Sequence, residues 1–252
     1  MSSAARSRAL TLADIAIGVD FAVERGAVDS VSSAPAPTPA PTVAVAATTA
    51  VVGSKSEALE ALRLEHEHGC PHCTRATFHR NLVFGEGDPE ASLLFVGEAP
   101  GEREDELGRP FVGRAGQKLD EMITAMGLGR EQVYIANILK SRPPGNRTPL
   151  PEEVALCGPT LLRQISIISP RVIVALGAPA TRFLLQTETG IGRLRGIWAR
   201  TTLPEELGGR SFDLMPTFHP AYLLRNYTLE TRKAVWSDLQ QVIERLKVAP
   251  IG

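Results

Sequence analysis

The stretch Ser92-Leu93-Leu94-Phe95-Val96-Gly97-Glu98-Ala99-Pro100-Gly101 decides the fold. Its apolar run is too short for a helix and breaks at once into glycine, acid and proline, the pattern of a buried strand opening onto a loop. Similar runs recur at Val133 to Leu139 (VYIANIL) and Val172 to Leu176 (VIVAL), with a weaker one at Phe212 to Phe218 (FDLMPTF). Helical patterns lie between them, at 116–126, 151–168 and 179–186, and another closes the chain at 229–247. This alternation predicts an α/β fold, a three-layer αβα sandwich around a central, mainly parallel four-stranded sheet. Ligands of such sheets bind beyond the carboxyl ends of the strands, so the residues after each run are the candidates for chemistry.

Upstream, a charged amphipathic helix is expected over 56–68, with Ser54 or Ser56 as cap and Gly69 as stop. It leads straight into Cys70-Pro71-His72-Cys73. The segment 1–29 carries helical apolar spacing over 10–28 and reads as a loosely docked appendage. Residues 30–53 are almost wholly Ala, Pro, Thr, Ser and Val, a composition that favours solvated, extended chain and marks a disordered linker. The folded domain is expected to span 54–252.

At 252 residues with 43% hydrophobic content, the chain can furnish a core, which excludes a fully disordered protein. Its 27 basic and 28 acidic residues nearly cancel, so no overall positive field announces a polyanion, although the section from Ala91 onward holds a small basic excess. No run approaches the roughly 20 apolar residues of a membrane helix, and the start lacks the apolar segment of a secretory signal. The expectation is a cytoplasmic protein with no membrane association. Three cysteines suit reduced thiols or metal ligands better than a disulfide framework.

After the first run, Gly-rich turns flank Glu98, Glu102, Glu104 and Asp105. Four acids in that loop would repel a phosphate, and no Gly-Lys-Ser/Thr follows. The second run carries Asn137, whose amide needs partners if buried, whether structural ones or a ligand. Behind it come Arg142-Pro143-Pro144-Gly145-Asn146-Arg147. The fourth run ends at His219-Pro220-Ala221-Tyr222-Leu223-Leu224-Arg225, and His219 is the one histidine outside 66–79.

Taken together, Gly97-Glu98-Ala99-Pro100-Gly101, Asn137, the 142–147 turn, the 219–225 segment and the Cys70-x-x-Cys73 pair resemble the family 4 uracil-DNA glycosylases, the iron-sulfur members of that superfamily. The likeness runs from about Cys70 to the final helix. It implies a DNA repair hydrolase that flips uracil out of DNA and cleaves its N-glycosidic bond, leaving an abasic site. Its implied partner is uracil-containing DNA, and a monomer is expected. Phe111 would stack on the uracil, Asn137 would pair with its polar edge and His219 would donate to O2. Ala99 and Gly101 would complete the pocket wall. Glu98 and Glu104 would orient water or offset the sugar cation, in an order the resemblance leaves open. Leu223 or Leu224 would enter the duplex, with Arg225, Arg142 and Arg147 on phosphates; the rival reading places both leucines against the core. No lysine lies in the matched motifs to form a covalent sugar adduct, so the enzyme would be monofunctional, with water as nucleophile.

The resemblance also implies a 4Fe-4S cluster on four cysteines. Cys70, Cys73 and Cys157 occupy three of those places and Ser141 the fourth, which leaves the cluster incomplete unless Ser141 or a neighbour ligates. A zinc site of the three cysteines and one of His66, His68, His72 or His79 is the alternative, although an exposed helix face accounts for His66 and His68. The altered metal site keeps a second function open: a glycosylase-like protein that binds DNA or abasic sites with weak or no catalysis.

Overall fold

The structure, a computed structural model, describes residues 53–75 and 78–248. The helix expected over 10–28 and the linker at 30–53 lie outside them, apart from Gly53. The first described helix is α1 (Lys55–Gly69), and Ser54 caps it: the Glu57 amide donates to Ser54 Oγ while the Ser54 amide donates to the Glu57 carboxylate. The sheet is built from β1 (Glu86–Gly87), β2 (Leu93–Gly97), β3 (Tyr134–Asn137), β4 (Val172–Leu176), β5 (Ala199–Thr202) and β6 (Ser211–Thr217). The helices that follow α1 are α2 (Glu102–Leu107), α3 (Arg114–Ala125), α4 (Pro151–Ile168), α5 (Ala178–Leu185), α6 (Ile191–Leu194), α7 (Pro220–Arg225) and α8 (Leu229–Lys247).

The strand order is β1-β3-β2-β4-β6-β5, with β3, β2, β4 and β6 parallel and both edge strands antiparallel. The sheet therefore has six strands where four were expected. The four central ones are the apolar runs, whereas β1 is a two-residue Glu-Gly pair and β5 reads Ala-Arg-Thr-Thr, so neither edge strand carries a hydrophobic signal. The chain steps from β2 outward to β3, then crosses to β4 on the far side, which puts a topological switch at the carboxyl end of β2.

Alternation along the central strands builds the three layers. Leu93 and Phe95 of β2 join Val172, Val174 and Leu176 of β4 on one face, under α3 and α8. Leu94, Val96, Ile173 and Ala175 point the other way, against α1, α4 and α5. Helices α4 and α8 have the limits read from sequence, and α3 and α5 fall within two residues of them. Among the described residues, no helix is long and apolar enough to cross a membrane.

One buried polar network ties the end of β6 to α8. Asp238 is fully buried; it accepts Thr217 Oγ1 at 2.6 Å and Arg195 Nε at 3.1 Å, and a second Arg195 nitrogen bonds its other oxygen. Asp238→Ala would leave the buried Thr217 hydroxyl without its acceptor and the partly buried Arg195 guanidinium with the Ala234 carbonyl in place of its carboxylate. A loss of about 1–3 kcal/mol is expected in chemical denaturation, with a smaller loss for Asp238→Asn.

Candidate active site

Three strand ends meet at the switch point. Asn137 closes β3 directly opposite Gly97, the last residue of β2. A Cβ at position 97 would lie 2.6 Å from Phe111 Cζ and closer still to Asn137 Oδ1, so the amide and the aromatic ring both press on the bare backbone of that glycine. The ring of His219, just beyond β6, sits 5.6 Å from that of Phe111, centroid to centroid. Asn137, Phe111 and His219 thus line one space, although they are drawn from distant parts of the chain.

Asn137 is 2% exposed, and its Oδ1 is buried without a hydrogen-bond partner in the protein. Glu98, the next residue after Gly97, likewise has a buried, unpartnered Oε1, and burial raises its carboxyl above the ordinary range. Two orphaned acceptors at one strand end are costly in an empty fold and suit a site that meets donors on a ligand.

His219 is the N-cap of α7, and its Nδ1 accepts the Ala221 amide at 3.1 Å. Since Nδ1 is an acceptor, the neutral ring carries its proton on Nε2. Burial, assisted by the charge of Arg225 and opposed by Glu104, pulls the imidazole down to about 4. The unfolded ring takes up its proton near pH 6.5 while the folded ring resists until about 4, so its neutral state supports the fold down to the top of that window and less so across it.

Phe111 holds its place in the left-handed region, with φ of 50°. Glu104 stabilises this turn: its Oε1 accepts the amides of Val112 and Gly113 at 2.9 and 2.8 Å. Glu104 thus positions the aromatic platform through Oε1, while Glu98 carries the unpartnered buried oxygen. Gly101 caps α2, where a Cβ would stand 2.8 Å from Glu104 Oε2, and Ala99 packs against Leu139 and the cysteines.

The DNA-facing expectations divide. Leu223 is 1% exposed and sits in the core beside Met122 and Trp236, so it is corrected from a wedge to a packing residue. Leu224 is half-buried and Arg225 exposed at the end of α7. Arg142 Nε donates to Asn146 Oδ1 at 2.7 Å, and Arg147 holds the Glu153 carboxylate through both terminal nitrogens.

A second cluster lies behind β3. His66, Cys70, Cys73 and Cys157 are all buried, and their ligand atoms lie within 4.8 Å of one another. The set does not fit a four-cysteine cluster, because the fourth group among the thiols is the His66 imidazole. Ser141 is fully buried with its Oγ 3.4 Å from Cys73 Sγ. The exposed-face reading holds for His68 but not for His66, which is 4% exposed. Sequence held a signal for this, since Leu59, Leu62 and His66 recur at helical spacing and form the buried stripe of α1.

Lys140, also fully buried, links the two centres: its amide donates to Cys157 Sγ at 3.2 Å and its Nζ to the Asn137 carbonyl at 2.7 Å. Nothing in the sequence alone singled it out.

A family model described as the uracil DNA glycosylase superfamily matches residues 84–240. A type-4 uracil-DNA glycosylase of Thermotoga maritima is 46% identical over 192 residues, 76% of this chain and 96% of that protein. Those of Sulfurisphaera tokodaii and Archaeoglobus fulgidus are 40% and 42% identical, covering 77% and 68% of this chain and 87% of each relative.

Gly97→Ala would put a Cβ 2.6 Å from Phe111 Cζ and closer still to Asn137 Oδ1, so both side chains must shift out of their present positions. Binding of free uracil by calorimetry is expected to weaken by at least tenfold; unchanged affinity would mean that the ligand lies elsewhere.

Proposed function

The chain belongs to the uracil-DNA glycosylase superfamily, and from that membership we propose that it removes uracil from DNA by hydrolysis of the N-glycosidic bond, leaving an abasic site. The observation that carries the proposal is the buried, unpartnered Asn137 Oδ1 beside the Phe111 ring. A fixed carboxamide offers one acceptor and one donor, complementary to N3–H and O4 of uracil; cytosine presents the reverse pattern. The base must leave the stack to reach this space, and Phe111 gives it a face to lie on.

Bond cleavage develops negative charge on the departing uracil and positive charge on the sugar. His219, neutral with its proton on Nε2, donates to O2 of the leaving base. Glu98, ionised, orients the attacking water and offsets the sugar cation. Leu224 fills the gap left in the duplex and Arg225 meets a phosphate, as do Arg142 and Arg147 once exchanged from Asn146 and Glu153. The metal centre, whether the incomplete 4Fe-4S cluster implied by resemblance or zinc, has a structural role: it pins α1 to α4 and takes no part in the reaction. The thiol ligands suit a reducing cytoplasm, and the enzyme works as a monomer.

A uracil-containing oligonucleotide, incubated with the protein and then treated with alkali, should break at the uracil. Binding without breakage would instead support the reading as a DNA or abasic-site binding protein. Asn137→Ala is expected to lower the single-turnover rate about 10²-fold or more. The rate should fall on acidification with a midpoint above the ordinary carboxylate range, set by Glu98, while His219 stays neutral to about pH 4. In Glu98→Gln, that limb should vanish along with about 10²–10⁴-fold in rate. An unchanged limb would remove Glu98 from the water-orienting role.

A further inference from the structure

We propose that the cluster between α1 and α4 is a single-ion zinc site, coordinated by His66 Nε2 and the Sγ atoms of Cys70, Cys73 and Cys157, with Ser141 outside the coordination sphere. The inference stands apart from the functional proposal, because metal identity is read without activity.

The spacing of the ligand atoms supports it. Zinc–sulfur and zinc–nitrogen bonds of about 2.3 and 2.0 Å at the tetrahedral angle place sulfurs about 3.8 Å apart and sulfur and nitrogen about 3.5 Å apart. Here Cys73 Sγ and Cys157 Sγ are 3.8 Å apart, and His66 Nε2 lies 3.1 Å from the first and 3.8 Å from the second. All four atoms fall within 4.8 Å of one another, a set gathered around one point. An iron-sulfur cube places each ligand on its own iron at a separate corner, which spreads the ligand atoms wider than one ion's shell.

The second ring nitrogen supports the same assignment. His66 Nδ1 is 2.7 Å from Thr160 Oγ1, a contact that fixes the ring and leaves Nε2 to face the thiols, as outer partners of metal-bound histidines do. Ser141 lacks comparable access: its hydroxyl meets Cys73 Sγ alone among the sulfurs, at 3.4 Å, the position of a hydrogen-bonding neighbour to a thiolate. The Lys140 amide approaches Cys157 Sγ in the same way. Three thiolates on a divalent ion carry net negative charge, and the buried Lys140 ammonium lies beside it. His66 of α1 thus supplies the fourth ligand that the family resemblance assigns to position 141.

The test uses the full chain, produced in medium containing both iron and zinc and purified anaerobically without added metal. Elemental analysis should find about one zinc ion per chain, with no stoichiometric iron or acid-labile sulfide. Exchange with Co2+ should give the visible bands of a tetrahedral cobalt–thiolate centre. Ser141→Ala and Ser141→Cys should both keep the zinc content, whereas His66→Ala should lose most of it and His66→Cys regain it. Iron with labile sulfide and a broad brown absorbance would overturn the proposal. So would loss of zinc in Ser141→Ala, full zinc in His66→Ala, or protein that takes up no zinc on titration. Should His66→Ala fail to fold, the serine variants and the cobalt spectrum still decide.

Discussion

The geometry of the site depends on the absence of a side chain at residue 97. Parallel strands β2 and β3 end side by side, and the amide of Asn137 projects across that junction to meet the ring of Phe111 over the backbone of Gly97. Any Cβ there would occupy the space that the two side chains define. A sheet switch provides a crevice in general terms; this one is shaped by one glycine flanked by one carboxamide and one aromatic face.

Holding that aromatic face costs conformational strain. A phenylalanine at φ of 50° lies in a region disfavoured for L residues by about 1–2 kcal/mol, and several independent contacts offset this. Glu104 takes the two amides after Phe111, Arg130 binds the carbonyls of Pro110 and Phe111, and α3 begins so close that a Cβ on Gly116 would overlap the Phe111 carbonyl. Asp120 and Glu86 in turn hold Arg130. Of the two acids that the resemblance assigns to chemistry, Glu104 also serves as a clamp on this turn. Glu98, which lacks such backbone partners on Oε1, is the acid whose environment is prepared for a ligand.

Much of this was legible in the residues because the central strands are continuous apolar runs, and such runs have few alternative structures. The limits of α4 and α8 followed from Pro151, the charged start of α8 and unbroken helical spacing. The edge strands were invisible because a strand that is half solvated and two to four residues long carries no periodicity to detect. Leu223 and Leu224 could not be separated by composition, since adjacent leucines on a short helix differ only in which one faces α3. His66 was obscured for another reason: its neighbours Glu65, Glu67 and His68 are exposed and gave the whole segment a solvated character, which the Leu59–Leu62–His66 stripe contradicts.

The metal centre and the recognition slot are parts of one mechanical unit. The segment 137–141 begins with the amide that faces the slot and ends with Ser141 against Cys73, so its two ends serve different sites. Lys140 ties them: its backbone amide is fixed by Cys157 Sγ, and its ammonium grips the carbonyl of Asn137 and the side chain of Gln164 on α4. Burial lowers the Lys140 ammonium to about 8, and negative charge on the neighbouring Cys157 and Cys73 sulfurs opposes that shift. In the proposed zinc centre, losing the ion would remove one tie between α1 and α4 and the negative charge nearest Lys140, while the packing of Leu59 and Leu62 and the Arg163–Glu65 pair would still hold the two helices together. An ion at the proposed cluster would therefore act on the slot indirectly, through the contact of Lys140 with the main-chain carbonyl of Asn137.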